Sequence, residues 1–313
     1  MDVTFVGLAT WDTVVQLPRL PDADGRVVAE ALCTAGGGPA ATGAVAAARL
    51  GLRASLVAAV GTDPEAELIR AGLAAEGVGT EGVAALPGHT SGACVVLVDR
   101  PRASRAICVR PGPELRLAPG TAAAEAVLAA RLVHVDHVGL PAVEELLGTL
   151  PEAAPRPLVS YDAGNLGPRR CPAIVDVYVP TLAALREVYG DRAAGADPLA
   201  LLAAARADGA RLVVATDGPN GAYAAGPDGT HHVPGHRDVT VRSTLGAGDV
   251  FHGALVAALA RDRALPDALA YANAAAALSC RGLDGRSGIP GDTETRELAA
   301  RVPAAPLAAP AVR

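Results

Sequence analysis

Residues 243–255 read Ser243-Thr244-Leu245-Gly246-Ala247-Gly248-Asp249-Val250-Phe251-His252-Gly253-Ala254-Leu255, and these types in this order suit transfer of a phosphoryl group. Gly246 and Gly248 lack Cβ atoms, so successive backbone N–H groups converge on one point without steric penalty. Val239 and Val241 alternate with polar residues just before, as at a strand end. Phe251, Leu255 and Leu259 recur every four residues, the stripe of an amphipathic helix. A strand–turn–helix places the N–H groups at the positive end of the helix dipole and makes an anion hole. Asp249 follows in the first helical turn. The hole stabilises a transferring phosphoryl group while the carboxylate takes the proton from an attacking hydroxyl. Gly-Ala-Gly-Asp alone reads as a tight turn with an N-terminal cap; the longer string carries the chemistry.

The elements that hold such a turn alternate apolar strand, helix, apolar strand, the pattern of a mostly parallel sheet with helices on both faces. Strands are expected at Val3–Gly7, Ser55–Val60, Leu132–Asp136, Leu158–Asp162, Val175–Val179 and Leu212–Thr216, and helices near 38–50, 64–76, 121–130, 181–190, 197–208, 248–262 and 266–280. Thr62-Asp63-Pro64 is a helix start, a capping residue followed by proline. Segments 13–34 and 91–110 show strand-like alternation (Arg26–Leu32, Ala93–Val98, Ala106–Arg110) without helical spacing. They read as a small antiparallel sheet projecting from a single α/β domain of residues 1–300. The Pro/Ala-rich tail, 301–313, lies outside it.

Composition narrows the chemistry. Net charge −6 and 3% aromatic residues argue against nucleic acid, and no apolar run reaches membrane-spanning length. Without a basic leader at its start the chain reads as cytoplasmic. Five cysteines without a Cys-x-x-Cys pair read as buried thiols. The sequence contains no lysine. That removes Walker-type NTPases, protein kinases and enzymes built on a lysine Schiff base. Phosphoryl transfer here must rest on backbone amides, arginine and metal.

Ala35-Gly36-Gly37-Gly38-Pro39-Ala40-Ala41-Thr42 runs into a small-residue helix ending Ala48-Arg49-Leu50-Gly51, and amides at its start are placed to bind hydroxyls or an anion. A dinucleotide-binding oxidoreductase would carry its glycine loop straight after the first strand, whereas this one lies behind the lid segment. Both glycine stretches, in this order, resemble the two signatures of the ribokinase-like (PfkB) carbohydrate kinases. The resemblance spans Val3 to Ile289. It implies a ribokinase-like sheet with a small β lid that often forms a homodimer interface. It also implies ATP and Mg2+ as cofactors, leaves room for a monovalent cation, and makes a small sugar or sugar derivative the partner.

In residue terms the resemblance makes Asp249 the base and the amides of Gly246, Ala247 and Gly248 the anion hole. Asp12, Gly37, Gly38 and Thr42 would hold the acceptor, Thr42 standing where the family has Asn. Gly25 matches a glycine of the second lid strand. Thr216, Gly218, Gly221, Thr244 and Asn273 would line the nucleotide, and Gly285-Arg286-Ser287-Gly288 would close its site. Gly-Gly-Gly-Pro-Ala-Ala-Thr, Asp-Val-Phe-His-Gly-Ala-Leu and Gly-Arg-Ser-Gly-Ile-Pro are most similar to the sulfofructose kinase branch.

Three further positions depart from the family pattern. Thr181 and Ala184 stand for Asn and Glu, and Ser243 for Asp, so carboxylates near the expected metal are missing and no metal ligand is assigned. The alternatives are a nucleoside kinase, or a ligand-binding regulator that kept the fold. His134 and Asp136 share one face at a strand end and invite a metal reading without an evident third ligand. His231, His232 and His236 read as surface residues. Arg102, Arg105 and Arg110 read either as a solvated strand edge or as a source of one inward guanidinium for an anionic acceptor such as a sugar phosphate or sulfosugar. Alternation puts Arg105 and Arg102 on opposite faces, and Arg105 matches an arginine common after the family's lid turn.

Overall fold

The computed structural model describes residues 1–101, 104–151, 153–164, 169–191, 197–302 and 305–306. Its strands are β1 (Val3–Val6), β2 (Thr10–Leu17), β3 (Ala31–Gly37), β4 (Ala54–Val60), β5 (Gly79–Ala85), β6 (Ala93–Asp99), β7 (Ser104–Arg110), β8 (Leu132–Val135), β9 (Leu158–Asp162), β10 (Val177–Val179), β11 (Leu212–Thr216), β12 (Ala222–Gly226), β13 (Gly229–Val233) and β14 (Ala305–Pro306). Its helices are α1 (Pro39–Arg49), α2 (Pro64–Ala75), α3 (Ala122–Leu128), α4 (Gly139–Gly148), α5 (Leu182–Tyr189), α6 (Pro198–Arg206), α7 (Ala247–Ala260), α8 (Leu265–Ser279) and α9 (Asp292–Ala299).

The main sheet runs β14-β13-β12-β11-β10-β9-β8-β1-β4-β5. It is parallel from β5 to β11, and β11 through β14 form an antiparallel edge. The parallel strands are apolar throughout because helices cover both faces. Helices α1, α2, α7 and α8 pack on one face around Phe5, Leu56 and Leu255. On the other, α3 to α6 pack around Val133, Leu146 and Leu185. The chain leaves β1 toward β4 on one side and later returns to β8 on the other, so a crevice opens at the carboxyl ends of β1 and β8. No helix of the described residues is long and apolar enough to cross a membrane.

The expected helices form within a residue or two of the expected bounds. Asp63 caps α2 by accepting the Ala66 N–H at 3.2 Å, and Pro64 fills the first turn. The strand expected at Val175–Val179 is shorter, because the Val175 N–H turns back to the Pro172 carbonyl. Helix α4, helix α9, strand β5 and the β12–β13 hairpin were not expected.

Strands β3-β2-β6-β7 form the lid. Its outer pairs are antiparallel, but the central β2 and β6 run parallel because they belong to separate excursions of the chain. The second lid strand begins at Ala31, not Arg26, and Gly25 lies in a turn against the Asp22 carbonyl. The lid's inner face carries Val14, Val96 and Val98, which pack on Leu245 and Leu283 of the main domain.

Candidate active site

Glycine and alanine decide how α7 meets α1. A Cβ on Gly253 would lie 2.3 Å from the Gly43 carbonyl oxygen, so this crossing requires glycine. The close approach sets the start of α7 beside the start of α1, over the carboxyl ends of β1, β8 and β9. No strand precedes α7, contrary to the expectation from Val239 and Val241. Arg242 and Ser243 donate their N–H groups to the Cys280 carbonyl rather than to a neighbouring strand, and Val241 is half exposed.

Gly246 enters α7 at φ 75°, a left-handed conformation, with no side chain capping the helix. The first helical bond runs from the Val250 N–H to the Gly246 carbonyl. The N–H groups of Gly248 and Asp249 therefore point out of the helix end. A Cβ on Gly248 would meet nothing within 4 Å, so the space before these amides is open. This cradle fits a phosphate. Burial and then the nearby charge of Asp162 push the half-buried Asp249 carboxyl up to about 7, against the pull of His252. A carboxyl of that affinity takes and returns a proton at neutral pH.

Across the crevice lies the acceptor side. Asp12 is buried in β2, accepts the Cys94 N–H at 3.1 Å, and is raised by burial. A Cβ on Gly37 would fall 2.0 Å from its Oδ2, so Asp12 stands where only glycine fits. Gly38 turns into α1 at φ 89°, and Thr42 lies one turn later, buried. The start of α1 is not a free anion site, contrary to expectation. Asp136 Oδ2 accepts the Ala40 N–H at 3.2 Å and the Leu8 N–H at 2.7 Å, while its Oδ1 accepts those of Val138 and Gly139 at 2.9 Å. That network answers the metal reading of Asp136: the carboxylate is a knot for three loops. A Cβ on Gly7 would strike it at 2.0 Å.

Of the residues expected to line the nucleotide, Gly221 and Asn273 both meet the Val233 carbonyl, while Thr244 lies against the lid at Arg105. Thr216 ends β11 beside Thr181, and Gly218 and Gly221 both adopt positive φ, 52° and 96°. Asn273 donates to the carbonyls of Val233 and Pro234 at 2.9 and 3.3 Å, so its amide braces α8 against β13. Thr181 caps α5 through the Ala184 N–H, and Ser243 accepts the Leu245 N–H.

The lid arginines separate. Arg105 lies on the inner lid face and its Nη1 donates to Thr244 Oγ1 at 3.1 Å. Arg110 turns away and donates to the Ser91 carbonyl. Arg102 lies outside the described residues. Of the histidines read as surface residues, His231 and His236 are buried, and His232 stacks on Tyr223 at 4.1 Å.

Sequence reasoning missed Asp162 and His252, and it read Arg286 only as part of the segment that closes the nucleotide site. Arg286 is 7% exposed; its Nη2 donates to the Gly37 carbonyl at 2.8 Å and its Nε to Thr42 Oγ1 at 3.4 Å, with no carboxylate of the described residues within 4.0 Å. Burial pulls its guanidinium down to about 10, opposed by Asp12 and other carboxylates. Asp162 and His252 form a buried ion pair, Oδ1 to Nε2 at 3.1 Å. Their separation by nearly a hundred residues left no local pattern to read.

A crevice with this sheet, lid and anion hole defines a sugar kinase fold. The chain belongs to the pfkB family of carbohydrate kinases, whose model matches residues 2–291. An ATP-dependent ribose-1-phosphate kinase of Halopiger xanaduensis is 31% identical over 287 residues, covering 88% of this chain and 91% of the relative. The fold is shared with a ribokinase of Thermotoga maritima, at TM-score 0.79, 19% identity and coverage of 95% and 98%. Arabidopsis thaliana ribokinase, solved with ribose and ATP, is similar at TM-score 0.77, 21% identity and the same coverage, 95% and 98%.

Proposed function

We propose that the protein transfers the γ-phosphoryl group of ATP to a hydroxyl of a small sugar that carries an anionic group. One observation supports this above the rest: the half-buried Asp249 carboxyl, raised to about 7, stands in the first turn of the uncapped α7 within the fields of Asp162, His252, Asp136 and Arg105. On this reading Asp12, Thr42 and the backbone around Gly37–Gly38 orient the sugar. Asp249 takes the proton as the acceptor oxygen attacks phosphorus in line. The outward amides of Gly248 and Asp249 meet the charge of the transferring group. Thr216, Gly218, Gly221 and Thr244 flank the nucleotide. Mg2+, for which no protein ligand is assigned here, would come with ATP and would supply charge neutralisation for the phosphates. Thr181 and Ser243 are engaged with backbone, and neither Ala184 nor Ser243 supplies the carboxylate the family has at its position.

The anionic class follows from arginine. Arg286 brings a buried guanidinium to the acceptor loop with no direct ion pair among the described residues, only the longer-range charge of Asp12, Glu76, Asp249 and Asp284, and Arg105 adds a second from the lid. A phosphate or sulfonate would supply a direct ion pair. Purified protein with Mg-ATP, offered neutral sugars, nucleosides, sugar phosphates and sulfosugars, tests this: consumption of ATP should be fastest with an anionic sugar. Fastest turnover of a neutral sugar or a nucleoside would reject the anionic class.

We further propose that the lid's outer face covers a second copy of the chain. Register puts Val15, Leu32, Val95 and Leu97 on that face, with Leu32 65% and Val95 45% exposed. Light scattering should show a dimer that Leu32→Glu with Val95→Glu converts to monomer; a wild-type monomer would reject it.

A further inference from the structure

We infer that the buried His252–Asp162 ion pair is a charge-balancing support for Asp249, which makes both its members positioning residues for the proton transfer. This rests on Asp249 being the base. His252 lies three residues beyond Asp249 on α7, hence on the same side of the helix. Its Nε2 is 3.1 Å from Asp162 Oδ1, and both side chains are nearly sealed, 6% and 8% exposed. Its Nδ1 is buried with no hydrogen-bond partner among the described residues, so Asp162 takes its side-chain hydrogen bond while Asp162 and Asp249 both favour its charged form. Asp162 ends β9 and also accepts the Gly164 N–H at 3.0 Å. Behind the pair, His134 on β8 bonds Ser160 at 3.1 Å, and its ring centre is 5.3 Å from that of His252.

One proton is shared out by this cluster. Burial alone would raise Asp162, but the charge and hydrogen bond of His252, with His134 and the Gly164 amide, bring it down to about 2. His252 is lowered by burial and raised more by Asp162. His134 falls to about 3 through burial and then the charge of His252, and stays neutral. Asp249 therefore faces a carboxylate and an imidazolium whose effects oppose: burial comes first, Asp162 raises it and His252 lowers it. The other charged groups facing it are Asp136 from the end of β8, Arg105 from the lid and Arg286 from the closing segment. Helix α1 brings no titratable group before Arg49, which is committed to Glu76, and α8 brings Asp267 and Tyr271, the latter bonded to Asp292. Breaking the pair by removing one member leaves a buried charge beside the base, whereas removing both leaves none.

The test is the titration of the Asp249 carboxyl by 13C NMR in the protein without substrate, together with the pH profile of kcat/KM for the best acceptor. Asp162→Asn should move both downward by about one pH unit or more, His252→Gln should move both upward by a similar amount, and the double variant should return toward wild type. Unmoved titration in both single variants, or loss of activity with an unmoved profile, would show a pair that only packs. A third measurement needs no variant: by 15N NMR His252 should titrate above an ordinary histidine, and a ring that titrates at or below the ordinary value overturns the inference. Full activity of Asp249→Asn would instead sink the base assignment, while leaving the titration shifts intact.

Discussion

Arg105 Nη1 bonds Thr244 Oγ1 at 3.1 Å, joining the lid to the loop that forms the anion hole across 139 positions of sequence. The contact is exposed, so water competes for it in the absence of substrate. When an anionic acceptor lies beneath the lid, the guanidinium has a stronger partner. Arg105→Ala should therefore raise the acceptor KM roughly 10- to 100-fold, the worth of a charge-assisted hydrogen bond, and change the KM for ATP little. Arg105→Lys should recover part of the loss, because a point charge lacks the planar fork. Equal KM values in wild type and Arg105→Ala would make the residue a solvated edge.

The proposed role of Asp249 as base predicts a pH dependence. Its carboxyl is raised above the ordinary value, to about 7, and the base must be ionised to act. The rate per acceptor should thus climb as pH rises through about 7 and fall below it. Asp249→Asn keeps shape and removes the proton acceptor, so turnover should drop roughly 10²–10⁴-fold with ATP binding preserved. Calorimetry of ATP binding alongside steady-state rates checks both halves; a flat profile between pH 6 and 8 would move the base elsewhere.

The two glycines of the anion hole should fail differently. A side chain at Gly248 meets open space in the folded protein but fills the place of the phosphate. Gly248→Val should keep its melting temperature and lose roughly 10²–10³ in rate. Gly246 holds φ 75° and a Cβ there would sit 2.8 Å from Gly285. Gly246→Ala should instead lose stability, about 2 kcal/mol or more. Denaturant melts of both variants decide the matter, and equal stabilities would contradict the loop geometry.

The site was legible in part, for physical reasons. The turn at residues 246–249 is a matter of local backbone geometry, so its spacing along the chain is also its arrangement in space. The strand and helix order was legible because helices covering both faces leave long apolar runs. Val239 and Val241 misled, since alternation marks a strand only where a neighbour accepts its hydrogen bonds, and here the Cys280 carbonyl does so instead. Asp136 looked like a metal ligand because its partners are backbone amides, which no sequence displays. His252 and Asp162, or Arg286 and Gly37, are neighbours only through the close crossing of α1 and α7 and the path of the closing segment.

Arg286 carries the test of acceptor charge. Its guanidinium reaches from the closing segment to the Gly37 carbonyl and Thr42, and a Cβ on Gly36 would fall 2.2 Å from its Nη1. A buried guanidinium with no direct ion pair among the described residues carries a desolvation cost, which an apolar side chain of similar length removes. Arg286→Met should therefore fold with an unchanged or higher melting temperature. If the guanidinium answers the acceptor's anion, this variant should discriminate less between a sugar phosphate and its parent sugar. The ratio of their kcat/KM values should fall by about tenfold or more, mainly through KM, because the contact is made equally in ground and transition states. An unchanged ratio in a folded variant would leave Arg286 as a strut that fixes the glycine loop, and the acceptor's charge would then have to be met by the lid alone.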